Sequence, residues 1–454
     1  MRVLIFEPNH TGHHFDYVRL LLPPVAELAS SVVIATTRRA IDSEQYRVLL
    51  APALAAALRA KSAGDQQATR GTAPIELETG IADRDPAKAR GTMVAKALAR
   101  ADQFIACVKH VRPDHVIVPY ADGLSQALVL RRLLLGGTVA NDHASLLNPA
   151  AAPGSGDITS DALFMRSGIA YPTPTIKRKL AMQASWRLMS SAPHSHLFHQ
   201  DPLMFAWISR HHPRLLAPGP GQRGWSLLPD PTPAFEPLTT AQARVRMGLS
   251  ESGLIVGSVG MMDRRKGIDL LIRAFTRAKL PADAKLLLVG KQDAAVAAML
   301  APGGEAEALV KSGRIIAINR FVEVHELGWA MQAMDVVATA HSRHVGSASV
   351  AIKAAAVNRP ILGSDFGWLG AMSKKFALGT TCCVEDIDSF ARALEQSLNS
   401  APGWKRSEGG RRFVAFHSEH NFGRAWGSLL RYRLGLPQPS DQIQWSWVEQ
   451  AAEV

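Results

Sequence analysis

The segment Leu254–Phe275, LIVGSVGMMDRRKGIDLLIRAF, admits few folds. A short apolar run ends in Gly257 and Gly260. A polar loop carries Arg264, Arg265 and Lys266, and then Ile268, Leu271, Ile272 and Phe275 recur at helical spacing. That order predicts a buried parallel strand, a glycine turn and an amphipathic helix. Backbone N–H groups at such a turn, with the positive end of a helix, suit a phosphate. Three adjacent cations raise the local positive potential. The same pattern also fits an ordinary βα turn with a solvated basic patch. A dinucleotide fingerprint fits poorly, because the glycines do not form G-x-G-x-x-G and no acid closes the next strand, KLLLVG. No Gly-Lys-Ser/Thr triplet stands at P-loop spacing.

The strand–helix alternation runs through both halves. RVLIFEP, SSVVIAT and HVIVPYAD read as strands, ALFMRSG and HSHLFHQD as weaker ones, and WSLLPDP closes the first half. Residues 54–101 read as helix, loop and helix, an elaboration outside the sheet. The stretch from Pro231 to Arg244, with Pro231, Pro233 and Pro237 and little periodicity, reads as an interdomain linker. The alternation then restarts with LIVGSVG, KLLLVGK, RIIAINRF, DVVATAHS, RPILGSD and TTCCVED. The expectation is an α/β protein of two Rossmann-like, doubly wound domains. They span residues 1–235 and 245–415, and residues 416–454 form a helix crossing back to the first domain, with a tail. Ligands of such sheets bind beyond the carboxyl ends of the strands, so the default site is a cleft between the domains.

Composition narrows the partners. The net charge of +12 favours an anionic partner: nucleic acid, an anionic membrane face or a phosphorylated substrate. Nucleic acid is not favoured further, since aromatic residues are 6% of the chain and no nucleic-acid-binding motif is present. Cys107, Cys382 and Cys383 form no disulfide framework or zinc spacing, and the last two read as small core residues. MRVLIFEPN reads as a first strand, not a signal peptide, and no uncharged apolar run is long enough to span a membrane. A cytoplasmic protein is expected. The basic helix TIKRKLAMQASWRL, with Lys177, Arg178 and Lys179 beside Leu180, Met182, Trp186 and Leu188, leaves peripheral contact with the inner, anionic face of a membrane open.

Several residues stand out before any family is considered. Gly12, with His10, His13 and His14, lies in the loop after the first strand. Gly12 permits close backbone approach, and His13 or His14 could bind phosphate or act as a base. Zinc is the weaker reading, because no cysteine or carboxylate set completes a site. Tyr120 and Asp122 end the strand HVIVPY, Asp122 being also a natural helix N-cap. His194, His196 and His199 flank a strand and fit surface or satisfied core roles.

The C-terminal half resembles the donor-binding domain of family-4 glycosyltransferases, which have the GT-B fold. The resemblance rests on Gly260, Lys266-Gly267, LIRAF and LLLVG, and on the frame AAAVNRPILGSDFG. LPDPTPAF resembles the segment closing the acceptor domain, and DIDSFARALEQSL the helix after the last strand. It spans roughly residues 180–435. It implies a phosphate-binding Lys266, helped by Arg264 or Arg265 at the Gly260 turn. It also implies a nucleotide-proximal Lys291, and a base cradled by the backbone at Phe321 and Val322. The loop of Gly12, His13 and His14 then lies at the cleft floor, with Asp122 as the nearest ionisable group to the family's catalytic histidine. Tyr120 and Arg166 become candidates for the acceptor.

The departures are in the paired glutamates that contact sugar and ribose. Val345, followed by Gly346, and Lys353 stand in their places. A carboxylate accepts hydroxyl hydrogen bonds, whereas lysine only donates. The resemblance implies transfer of a sugar from a nucleotide-diphosphate sugar to a carbohydrate or lipid-linked acceptor, without metal or cofactor. The alternatives are an inactive, glycosyltransferase-like partner subunit and, third, a sugar-nucleotide epimerase.

Overall fold

In the computed structural model the described residues are 1–10, 12, 14–62, 73–79, 92–135, 147–148, 157–165, 168–173, 175–216 and 224–439. The chain divides into two compact units, Met1–Leu228 with the segment from His420 onward, and Pro229–Glu419.

The first unit is built on strands β1 (Arg2–Phe6), β2 (Ser31–Ala35), β3 (Ile75–Glu78), β4 (His115–Val118), β5 (Thr159–Phe164), β6 (His196–His199) and β7 (Gly224–Leu227). They pair in the order β3-β2-β1-β4-β5-β6-β7, and every pairing is parallel. Strands covered on both faces read as near-continuous apolar runs, as RVLIF and SVVIA do. Alternate side chains of β1 serve two cores. Leu4 and Phe6 join Phe104, Val108 and Trp225 on one face; Val3 and Ile5 join Phe15, Val18 and Leu21 on the other. The helix Glu419–Arg433 completes the second core with Phe422, Trp426 and Leu430. Phe422 stacks on Tyr17, with ring centroids 5.3 Å apart. Gly427 lets this helix approach the Pro24 turn, since an added Cβ would lie 3.3 Å from Pro24 Cβ.

Sequence periodicity misjudged two segments. Ile75–Glu78, inside the stretch read as an elaboration, pairs with β2 and forms an edge of the sheet. Its four residues, IELE, are too short and charged to resemble a buried strand, and charge on an edge is what keeps such an edge from pairing further. The proline-rich stretch read as a linker is anchored within the second unit. Gln332 accepts from the Leu238 N–H at 2.7 Å and donates to Glu236 O at 3.0 Å, while Arg244 ion-pairs with Asp335 at 2.9 Å. A capping box of Thr239 and Gln242 starts the helix Thr240–Arg246 there. Cys383 is exposed, not a core residue. His194 is a satisfied core residue, 2.8 Å from Ser125 Oγ and 2.9 Å from Ser160 Oγ.

The second unit repeats the plan. Its strands β8 (Ile255–Val259), β9 (Lys285–Val289), β10 (Ile315–Ile318), β11 (Val336–Thr339), β12 (Ile361–Ser364) and β13 (Gly379–Cys382) pair in the order β10-β9-β8-β11-β12-β13, all parallel. The helix Ile268–Arg277 buries Ile268, Leu271, Ile272 and Phe275, the four positions the sequence spacing marks.

One buried ion pair fastens the last helix to the first sheet. Asp161 of β5 is fully buried, and Arg433 donates to both of its carboxylate oxygens. His115 Nε2 lies 3.2 Å from the same carboxylate. Burial acts to raise the Asp161 pKa, but Arg433 and His115 outweigh it and hold the carboxyl well below the usual range. Removing one partner of such a pair strands the other charge, at about 3–5 kcal/mol. Asp161→Asn is therefore expected to lose stability of that order at neutral pH, measured by urea unfolding. Because the folded pKa is depressed, the stabilisation is complete above the unfolded value of about 4 and is lost as the pH falls below it. The wild type and Asp161→Asn should accordingly converge in acid.

Candidate functional site

Both sheets have a switch point, where the crossovers diverge to opposite sides: between β1 and β4 in the first, and between β8 and β11 in the second. Ligands of open α/β sheets bind outside the strand ends at such points. Several of the residues singled out from the sequence follow the strands at these two places.

In the second unit, β8 ends at Val259 and the chain turns at Gly260, whose φ of +92° suits glycine. Asp263 then caps a single turn of 3₁₀ helix, its Oδ1 accepting from the Lys266 N–H at 3.1 Å. This turn carries Lys266 back under the strand end. The Lys266 ammonium donates to Val259 O, and the residue is only 7% exposed. Gly260 makes room for it, because a Cβ there would sit 2.8 Å from Lys266 Nζ. Gly267, at φ +64°, lets the next helix start against the end of β11, where a Cβ would meet Ala340 O at 2.2 Å. Gly290, after β9, is packed against Gly260 O in the same way, at 2.0 Å for an added Cβ.

The charge around Lys266 is lopsided. Burial first, then Arg265, push its pKa down to about 7; Asp263 pulls the other way, and Lys353 adds a smaller push downward. The Asp263 carboxylate is shared with Arg265, at 3.4 Å. His341 follows β11, is 5% exposed, and is held well below the ordinary histidine range by burial and by His344, Lys266 and Arg265. The His341 and His344 rings are 5.0 Å apart, and His344 Nε2 lies 3.0 Å from Ser347 O. Val345 and Gly346 lie in this loop, Gly346 at φ +93°. Ser347 closes it by donating to Asp230 Oδ2 at 2.6 Å. Lys353, half-buried, lies on the next helix, Ser349–Ala356. The strand ends of this unit therefore concentrate cations, with a buried ammonium at their centre.

Other expected donor residues lie farther along the same edge. Lys291 is exposed after β9, and its carbonyl accepts from the Met262 N–H at 2.8 Å, tying the β8 and β9 loops together. Arg264 is exposed on the 3₁₀ turn. Phe321 and Val322 are partly buried after β10, where Arg320 donates to Phe321 O at 3.1 Å.

In the first unit, Gly12 is exposed at φ +76° in the loop after β1. His14 opens the following helix and is 9% exposed. Its Nδ1 lies 2.8 Å from Oε2 of Glu7, a residue 1% exposed that sequence reasoning passed over. The signal for Glu7 was an acid placed immediately after the apolar run VLIF. Tyr120 packs its ring 4.4 Å from the His14 ring. Asp122 accepts from the Met165 N–H at 3.1 Å, joining the β4 loop to the end of β5. His10 is pushed below its ordinary pKa by burial, Arg39 and His14. His13 and Arg166 lie outside the described residues. Among the described residues, no three His, Cys, Asp or Glu side chains are grouped as a metal site.

Residues 253–400 match the family described as glycosyl transferases group 1. This segment is thus similar to a glycosyltransferase domain. The fold of the chain agrees along its length. A sucrose-phosphate synthase from Thermosynechococcus elongatus superposes with a TM-score of 0.62 at 17% identity, covering 96% of this chain and 99% of that one. HepE from Anabaena, solved with UDP, gives 0.57 at 12% identity, covering 95% and 100%. An α,α-trehalose 6-phosphate synthase from Burkholderia multivorans gives 0.56 at 14% identity, covering 95% and 98%. At these identities the likeness concerns the fold, which is GT-B. No curated protein matches the chain in sequence.

The Gly260 turn yields a controlled prediction. Gly260→Ala adds backbone strain of about 1–3 kcal/mol and a collision with Lys266 Nζ. Gly248→Ala, also at positive φ but with open space around its Cβ, adds the strain alone. Urea unfolding should show the larger loss for Gly260→Ala.

Proposed function

We propose that this protein transfers a sugar from a nucleoside-diphosphate sugar to a carbohydrate or lipid-linked acceptor. The observation that carries the reading is the buried Lys266 ammonium. It has a backbone carbonyl as its acceptor and cations for neighbours. Burying a charge without full compensation is costly, and an anion arriving at Lys266 would relieve that cost and restore its proton. A diphosphate leaving group gains charge in the transition state, where a preorganised cation is most effective. In this reading Arg264, Arg265 and Lys353 add to the potential, so that neither metal nor cofactor is required. Lys291, Phe321, Val322, Val345 and Gly346 line the donor. HepE, a structural neighbour, is solved with UDP and with UDP-glucose, which supports a nucleotide-sugar donor.

On the acceptor side, the reading assigns His14 to the reacting hydroxyl, with Tyr120 and Asp122 beside it. The helix Ile176–Ser190 supports a lipid-linked acceptor. Ile176 and Leu180 are 80% and 61% exposed beside exposed Lys177, Arg178 and Lys179, while Trp186 and Met189 anchor its far end. That pattern suits the face of an anionic bilayer. No helix of the described residues is long and apolar enough to cross a membrane.

The test is calorimetry with UDP and other nucleoside diphosphates on wild type, Lys266→Met and Lys353→Glu. Lys266→Met removes a buried charge while keeping the side-chain volume, so thermal stability should hold or rise. A charge-assisted contact is worth about 1.5–3 kcal/mol, so affinity should fall by roughly ten- to a hundredfold. Lys353→Glu should also weaken binding, by repulsion. Unchanged affinity in Lys266→Met refutes the phosphate site. Tighter binding by Lys353→Glu would favour a decayed, non-catalytic pocket.

A further inference from the structure

Near the buried Lys266 ammonium stands a histidine with an unused ring nitrogen. β11 pairs with β8 through Val336–Val256 and Val337–Gly257, so the two strands end together at Thr339 and Val259. Lys266 donates to Val259 O at one of these ends, and His341 follows the other by two residues. Gly267, next to Lys266, abuts Ala340 O, next to His341; an added Cβ would lie 2.2 Å from that oxygen. His341 is 5% exposed, and its Nδ1 has no hydrogen-bond partner. Buried polar groups are nearly always paired, so an unpaired one calls for an explanation.

The surroundings limit what can pair with it. The His344 ring is 5.0 Å away, with its own Nε2 3.0 Å from Ser347 O. Burial, then His344, Lys266 and Arg265, disfavour charge on the His341 ring; the Thr339 backbone pulls the other way but leaves Nδ1 unpaired. Asp263, the acid that acts on Lys266, is already engaged. Its Oδ1 accepts from the Lys266 N–H at 3.1 Å, and its Oδ2 faces Arg265 at 3.4 Å. A cation would be repelled here. A water or a sugar hydroxyl would satisfy Nδ1 and leave the positive charge uncompensated. A phosphate oxygen does both.

We propose that His341 is a further anion-binding residue of the second unit, its Nδ1–H donating to the phosphate group that Lys266 attracts. The proposal rests on the sugar-transfer reading and adds a residue to its leaving-group site. An ionised phosphate oxygen only accepts, so Nδ1 carries a proton in the bound state. The same negative charge favours the charged forms of Lys266 and His341 together.

The experiment is calorimetry with inorganic pyrophosphate and with UDP, near neutral pH, on wild type, His341→Leu and His341→Gln. Leucine keeps the bulk and removes both ring nitrogens, whereas glutamine keeps an N–H donor. Thermal unfolding checks the fold, and loss of an unpaired buried nitrogen should not lower the stability of His341→Leu. His341→Leu should bind both ligands about tenfold more weakly, and His341→Gln should recover most of that loss. Equal affinity of wild type and His341→Leu for pyrophosphate overturns the proposal. So does a loss seen with UDP alone, which would set His341 against the nucleoside.

A second arm reads the wild type by long-range ¹H–¹⁵N correlation on histidine-labelled protein, with His341 assigned by its absence in the variants. Saturating pyrophosphate should show His341 protonated on Nδ1; a bare Nδ1 in the bound state overturns the proposal. Failure of the transfer reading looks different. The wild type would then bind neither pyrophosphate nor UDP, and both fall together. If the wild type binds both and His341→Leu binds them equally well, His341 alone is excluded.

Discussion

Both sheets are parallel throughout, and the arrangement of everything chemical in this protein follows from that. A parallel pairing needs a crossover, and crossovers in one sheet share a hand. Each loop that follows a strand therefore emerges at the same edge, and at the switch point two such loops diverge without a helix between them. Glu7, Gly12 and His14 follow β1, and Tyr120 and Asp122 follow β4. Gly260 and Lys266 follow β8, and His341 to Lys353 follow β11. Residues more than a hundred positions apart become neighbours through the order of strands alone.

The molecule treats its buried charges in two ways. Asp161 has a guanidinium and an imidazole against its carboxylate, and it ties the helix Glu419–Arg433 into the first unit. It lies toward the amino ends of the strands, away from the edge where loops gather. Nearby His196 meets Ser226 at 2.6 Å and is pushed down to about 4 by burial, so it adds no second charge there. Lys266 is buried with cations beside it and little to neutralise it. A fully paired charge stabilises a fold; an under-compensated one is a standing preference for an anion. Burial first, and the neighbouring cations second, depress the pKa of both Lys266 and His341.

Much of the fold was legible along the chain. Strands buried on both faces need long apolar runs, and β8, β9 and β11 announce themselves by LIVGSV, KLLLV and DVVAT. The helix Ile268–Arg277 is written in its spacing. β3 was not legible, because IELE carries two acids and its hydrogen bonds to β2 are what make it a strand. The stretch from Pro231 to Arg244 looked loose because its anchors, Gln332 and Asp335, lie some ninety residues away.

The site divides along the same line. Sequence alone determined the two doubly wound units, the glycine turn before Lys266 and the basic residues around it, since these depend on local propensity, spacing and composition. Tertiary structure decided that Lys266 is buried rather than solvated, that His341 and Lys353 share its surroundings, and that Glu7 faces His14. Burial and partnership depend on which strand ends adjoin, and desolvation, the largest influence on Lys266, is a property of the surrounding packing rather than of any motif.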